Sequence, residues 1–97
     1  MINRIVKMTF DPAHSAAFIA LFEATKDKIR GFEGCEQLSL LRDVNQPNIF
    51  FTYSFWQSEA HLNAYRDSAL FAEVWGNTKV LFAGKPEAWS TEVMYRM

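Results

Sequence analysis

Phe50 to Trp75 reads FFTYSFWQSEAHLNAYRDSALFAEVW, and this stretch decides the fold. Its opening residues are aromatic or β-branched on alternate positions, the composition of a strand that is apolar on both faces. Ser58 follows at an N-cap position, ahead of a short helix carrying Leu62 and Tyr65. Asp67-Ser68 recaps the chain, and a further helix sets Phe71, Val74, Trp75, Thr78 and Phe82 on one stripe.

Reading outward, the strand runs from Ile49 to Trp56 and is preceded by the turn Asn45-Gln46-Pro47-Asn48. That turn makes a hairpin with a strand over Cys35 to Asp43. Ile2 to Phe10 alternates as well, with Val6, Met8 and Phe10 on one face and Asn3, Ile5, Lys7 and Thr9 on the other. Asp11-Pro12 caps and starts a helix whose apolar stripe is Phe18, Leu21, Phe22, Thr25 and Ile29. Gly31 is expected in the left-handed position that ends this helix, with Phe32 after it. Gly84-Lys85-Pro86 is expected to end the last helix, and Ala88 to Tyr95 to form the last strand.

The order β-α-β-β-α-β, without repeats or linkers, is a single α+β domain over residues 1–97 with the ferredoxin-like arrangement. Its antiparallel sheet has strands one and three at the centre, helices on one face, and the other face bare. Strand three carries Ile49, Phe51, Tyr53 and Phe55 on one side and Phe50, Thr52, Ser54 and Trp56 on the other. Only one side can meet the helices. The other must meet a second copy, a ligand, or both, so a homodimer packed sheet to sheet is expected.

The composition agrees. Forty-nine per cent of the residues are hydrophobic, including nine Phe, three Trp and three Tyr, more than one small core needs. Ten basic against eleven acidic residues, without a basic run, leave nothing to hold a phosphate backbone, so no nucleic-acid partner is expected. Cys35 is alone and implies neither a disulfide nor a thiolate metal cage. The N-terminus alternates instead of presenting a signal peptide's apolar run, and no stretch is long enough to span a membrane. A soluble, cytoplasmic protein is expected.

No metal-ligand spacing is present, because His14 and His61 lie in different elements with no carboxylate at ligand spacing. The four glycines stand apart, so no nucleotide loop is indicated, and no cofactor is expected. What remains is a polar group or two among aromatics: His61 and Tyr65 at i, i+4, with Asn3, Phe71, Trp75 and Tyr53 as further candidates. Such a site suits a small planar hydrophobic ligand. Each residue also has a plainer role open to it. Trp75 can be core, Tyr65 core with a satisfied hydroxyl, and His61 a half-exposed helix residue.

Asn3-Arg4-Ile5, Phe32-Glu33-Gly34, Trp56-Gln57-Ser58-Glu59-Ala60 and the helix through Trp75 resemble antibiotic biosynthesis monooxygenase domains over nearly the whole chain. The resemblance implies a dimeric α+β barrel. It also implies a cofactor-independent monooxygenase acting with O2 on a quinol- or phenol-like aromatic. By this resemblance Asn3 and Tyr65 would orient and stabilise the substrate anion and His61 would accept a proton. Phe71, Trp75 and Tyr53 would wall the ring. In the family's haem-degrading subset the pocket holds an Asn, a Trp and an iron-ligating His. Here Asn3 matches the first, Tyr65 stands where the Trp is found, and Trp75 stands where the His is expected, so haem degradation is not implied. The competing expectation is a non-catalytic dimer that sequesters a hydrophobic small molecule. An isomerase or lyase on the same fold is a third.

Overall fold

The structure, a computed structural model, describes residues 1–97. Strands β1 (Ile2–Thr9), β2 (Cys35–Arg42), β3 (Ile49–Trp56) and β4 (Glu87–Thr91) form one antiparallel sheet in the order β2-β3-β1-β4. Helices α1 (Ser15–Arg30), α2 (Glu59–Arg66) and α3 (Ala69–Lys79) complete the ferredoxin-like α+β fold. β1 and β3 are central, as the sequence order requires.

Local chemistry sets the helix starts. Asp11 Oδ1 accepts the Ala13 N–H at 2.9 Å and opens a 3-10 turn, Pro12–His14, that leads into α1. Ser58 Oγ accepts the His61 N–H at 3.2 Å, and Ser68 Oγ accepts the Phe71 N–H at 3.1 Å. Ser68 Oγ also donates to the Tyr65 carbonyl at 2.6 Å, so one hydroxyl closes α2 and opens α3. Caps of this kind contribute about 1 kcal/mol each.

Three boundaries differ from the sequence reading. Gly31 is not left-handed: its φ of −80° continues the helix, and its N–H reaches the Asp27 carbonyl at 2.9 Å. The positive φ falls three residues later, at Gly34 with φ +90°. There the chain turns into β2, and the Gly34 carbonyl accepts the Gln57 N–H at 2.8 Å. α3 ends at Lys79, before Gly84, because the next residues are tied to the end of β1. The Ala83 N–H donates to the Thr9 carbonyl at 2.9 Å, and Phe82 bridges Phe10 across the chain. β4 stops at Thr91, short of Tyr95, since its register pairs Thr91 with Asn3 and β1 has almost no residues left to pair. Local alternation cannot reveal the length of a partner strand.

The sheet's two faces are now assigned. Phe50, Thr52, Ser54 and Trp56 face the helices, opposite Met8, Val6, Arg4 and Ile2 in register. Phe51, Tyr53 and Phe55, opposite Lys7, Ile5 and Asn3, occupy the bare face. On the covered face the core is divided. One cluster joins Met8, Phe10, Phe18 and Phe50, and the other joins Ile29, Cys35, Trp56, Leu62 and Tyr65.

Gly34→Ala and Gly76→Ala should move stability in opposite directions. At Gly34 a side chain must adopt positive φ, at about 1–2 kcal/mol, and its Cβ would collide with the His61 ring. At Gly76, inside α3, a Cβ meets nothing within 4 Å, and alanine should stabilise by about 0.5–1 kcal/mol. Urea denaturation of both variants checks this; a Gly34→Ala protein as stable as the parent would overturn the account of the turn.

Candidate functional site

Between the sheet and the helices, where the two apolar clusters part, lies a cavity of about 360 Å³. That is near the lower end of the roughly 300–1,000 Å³ typical of small-molecule sites. Thirteen of its nineteen lining residues are hydrophobic, so the walls favour an apolar body over water. Val6 and Met8 line it from β1, Phe18 and Phe22 from α1, and Val74 from α3.

Its aromatic wall is continuous. Tyr65 stacks on Trp56 with ring centroids 5.0 Å apart and planes 22° from parallel. Phe71 meets the Tyr65 edge at 5.3 Å and then stacks on Trp75 at 5.9 Å, within 10° of parallel. Stacked and edge-on pairs of this kind contribute about 0.5–1.5 kcal/mol each beyond burial. Tyr65, Phe71 and Trp75 come from positions i, i+6 and i+10 across the Ser68 break, and all three line the cavity.

The other three candidates lie elsewhere. Asn3 and Tyr53 sit on the bare face of the sheet, one residue out of phase with the cavity-lining Arg4 and Thr52. Tyr53 packs edge-on against Phe55 at 5.1 Å, and Asn3, buried, is flanked in the sheet by Phe55 and Thr91. His61 is turned away as well. α2 directs Leu62 and Tyr65 inward, and His61, one position from Leu62, is rotated about 100° around the helix from it. Its Nδ1 lies 2.7 Å from Ser58 Oγ, the same oxygen that accepts its N–H. Whichever of the two donates, that ring nitrogen is occupied by the cap serine. The ring's other neighbour is Gly34. His61 thus joins the α2 cap to the Gly34 turn. The expected i, i+4 pair with Tyr65 does not form a shared site.

The sequence reading missed two cavity residues of consequence, Arg4 and Arg66. Arg4 could have been found by parity. It shares the alternating face of Val6 and Met8, where a charge has no reason to be unless the space beside it is polar or occupied. Burial lowers the Arg4 guanidinium below its ordinary pKa, and the Arg66 charge pushes it the same way. No carboxylate, imidazole or thiol lines the cavity. Ser54 Oγ accepts the Trp56 Nε1–H at 3.0 Å and Thr78 Oγ1 donates to the Val74 carbonyl at 2.7 Å, so both hydroxyls have protein partners.

Tyr65 is the titratable phenol of the site. Burial, and secondarily the nearby Cys35, pushes its pKa up to about 12. At neutral pH it is a hydrogen-bond donor and no base. Trp75 offers iron no lone pair and no histidine lines the cavity, so the iron-ligating His considered above has no counterpart here. No group of three or more His, Cys, Asp or Glu side chains converges anywhere in the chain to hold a metal ion. No helix is long and apolar enough to cross a membrane.

Comparison with protein families matches residues 1–75 to the family described as antibiotic biosynthesis monooxygenase. Among solved structures, an antibiotic biosynthesis monooxygenase superposes with a TM-score of 0.91 at 16% identity, over 98% of this chain and 100% of that one. A conserved protein from Methanosarcina mazei superposes at 0.88 with 19% identity, over 93% of this chain and 89% of its own. A Pseudomonas aeruginosa protein gives 0.81 at 21% identity, over 99% and 93%. At such identities the likeness is one of fold. No curated protein matches the chain in sequence.

The raised Tyr65 pKa has a measurable consequence. The unfolded chain gives up this proton near pH 10 and the folded chain near 12, so the fold's advantage is intact below pH 10 and is lost as pH rises towards 12. The parent minus Tyr65→Phe ultraviolet difference spectrum should show phenolate appearing near pH 12. A step near pH 10 would mean that Tyr65 is solvated.

Proposed function

The chain belongs to the antibiotic biosynthesis monooxygenase family, and we propose that it binds a small planar phenol or quinol in the cavity and oxidises it with molecular oxygen. The aromatic wall of Trp56, Tyr65, Phe71 and Trp75 around about 360 Å³ carries this reading. In the proposed reaction the substrate supplies all the electrons. A phenol and O2 give a quinone and water: one oxygen atom enters the ring as a carbonyl, and the other leaves as water with two substrate hydrogens. The protein's part is to favour the ionised phenol, hold it flat, and exclude bulk water. Tyr65, protonated at neutral pH, donates to the anionic oxygen, and Phe71 and Trp75 wall the ring.

One observation favours a second reading, a non-catalytic protein that sequesters an aromatic molecule. The cavity offers no general base, since His61 is engaged by Ser58 and Asn3 lies across the sheet. Oxygen uptake separates the two. With reduced naphthoquinols and anthrones the protein should consume oxygen above autoxidation and above a boiled control. Tyr65→Phe should lower the rate about 100- to 1,000-fold, the usual scale for losing one donor to a developing oxyanion. No uptake with any member of the panel would count against the oxidation and shift the reading to the sequestering role.

The working unit proposed is a homodimer joined through the bare face. Ile5, Phe51, Tyr53 and Phe55 lie there half-buried, and Leu41 and Trp89 are 47% and 45% exposed. A chain of 97 residues leaves so large an apolar face uncovered only at a cost in solubility. A second copy presents the matching aromatic surface. Light scattering at micromolar concentration should give twice the chain mass, and Phe55→Glu should shift it towards one. A parent protein of single-chain mass would rule the dimer out.

A further inference from the structure

We propose that the ligand of the cavity is an aromatic acid, whose carboxylate Arg4 and Arg66 bind together. This rests on reading the cavity as an aromatic-ligand site and specifies what that ligand carries. Arg4 stands on the helix-facing side of β1, and Arg66 ends α2, one residue after Tyr65. Both line the same cavity, yet they stand far apart in sequence, on β1 and at the end of α2. They are close enough for their like charges to oppose each other.

Nothing in the chain neutralises them. Its one ion pair joins Lys26 and Glu23 on α1 at 3.0 Å, and no Asp or Glu lines the cavity. Arg4 Nη1 donates to Ser90 Oγ at 3.0 Å on the neighbouring strand, and no other protein group takes its remaining N–H donors, which are open to solvent or to a ligand. The position of Arg66 has a partial structural reason, since a cation in the last turn of α2 suits the helix dipole. Arg4 has none. A half-buried guanidinium on an apolar strand face, beside a second cation, is unfavourable in the empty protein.

An anion between them would relieve the repulsion and accept from the donors that no protein group uses. A carboxylate fits best, because its two oxygens match planar guanidinium forks in a bidentate manner. The rest of the cavity's inventory agrees. With apolar walls, a protonated Tyr65 and two arginines, it offers donors and grease but no anion of its own. The ligand's aromatic body then lies against Phe71 and Trp75, with its acid group at the arginines.

Naphthoate and naphthamide, equal in shape and different in charge, test this at neutral pH and low salt. Trp56 and Trp75 line the cavity and report binding by fluorescence quenching. Naphthoate should bind on the order of tenfold more tightly, in line with hydrogen bonds to a charged group. Arg66→Gln and Arg4→Gln should each bring the ratio towards one, and Arg66→Glu should reverse it. Arg66 is exposed, so its variants should fold, and Arg66→Gln should leave the empty protein at least as stable as the parent. Equal affinity for the two probes in the parent would overturn the acid while leaving the aromatic site standing. So would a preference for naphthoate that survives in both glutamine variants. Naphthol showing the same arginine dependence would assign the pair to the reacting oxygen and overturn the carboxylate. If neither probe binds, the aromatic-ligand reading falls, and this inference with it.

Discussion

Trp56 is the residue on which the covered side of the sheet depends. It ends β3 facing the helices, is 1% exposed, and donates its indole N–H to Ser54 Oγ two residues back on the same face. Tyr65 of α2 stacks on one side of it, and Phe32 from the α1–β2 turn meets it at 6.4 Å. Three elements distant in sequence are thereby referred to one rigid indole. At the far end of the same strand Phe50 does similar work with Phe10 and Phe18. Between them β3 carries Thr52 and Ser54, which are too small to fill the gap. The cavity follows from that size sequence: large, small, small, large along one face of one strand.

This explains why the core is divided and why the division is tolerated. A void in a domain of this size forfeits dispersion contacts that a small core can ill spare. The cost falls if a ligand replaces those contacts. The aromatics around the gap support one another in a chain from Trp56 through Tyr65, Phe71 and Trp75 to Phe82, so the walls hold their shape without a filling. Phe82 reaches this chain although α3 has ended, because the backbone after Val80 is pinned to Thr9. Trp75 is thus backed by a residue held at a strand-end bridge and not by a helical stripe.

Most of the architecture was legible in the sequence because it is encoded locally. The bounds of β3, the Ser58 and Ser68 caps and the central place of β1 and β3 follow from alternation, capping and topology. What could not be read depends on partners distant in sequence. β4 is short because β1 begins at Ile2, and the left-handed glycine is Gly34 because His61 closes over it. The cavity was half legible. Tyr65, Phe71 and Trp75 showed in the helical spacing, whereas the inward face of β3 stayed undecided, since aromatics occupy both of its sides. Asn3 entered as a polar residue on the alternating first strand and again through family likeness, and strand parity placed its neighbour Arg4 in the cavity instead. In a strand, a shift of one residue reverses which side chain meets the ligand.

That shift changes the electrostatic character of the site. An asparagine would offer a neutral donor and acceptor, and the expected histidine a base. Of the residues actually present, Arg4 and Arg66 can only donate, and Tyr65 keeps its proton at neutral pH, so none of the three is a base. A cavity of this kind stabilises negative charge on whatever enters it and cannot itself remove a proton. If the proposed oxidation occurs, the proton must therefore leave through the substrate's own acidity, raised by nearby cations in a poorly solvated space, and pass to water at the opening. The same field disfavours any cationic intermediate and holds back positively charged ligands. Selectivity for electron-rich, acidic aromatics then follows from two arginines and the absence of any neighbouring carboxylate, before any detail of shape is considered.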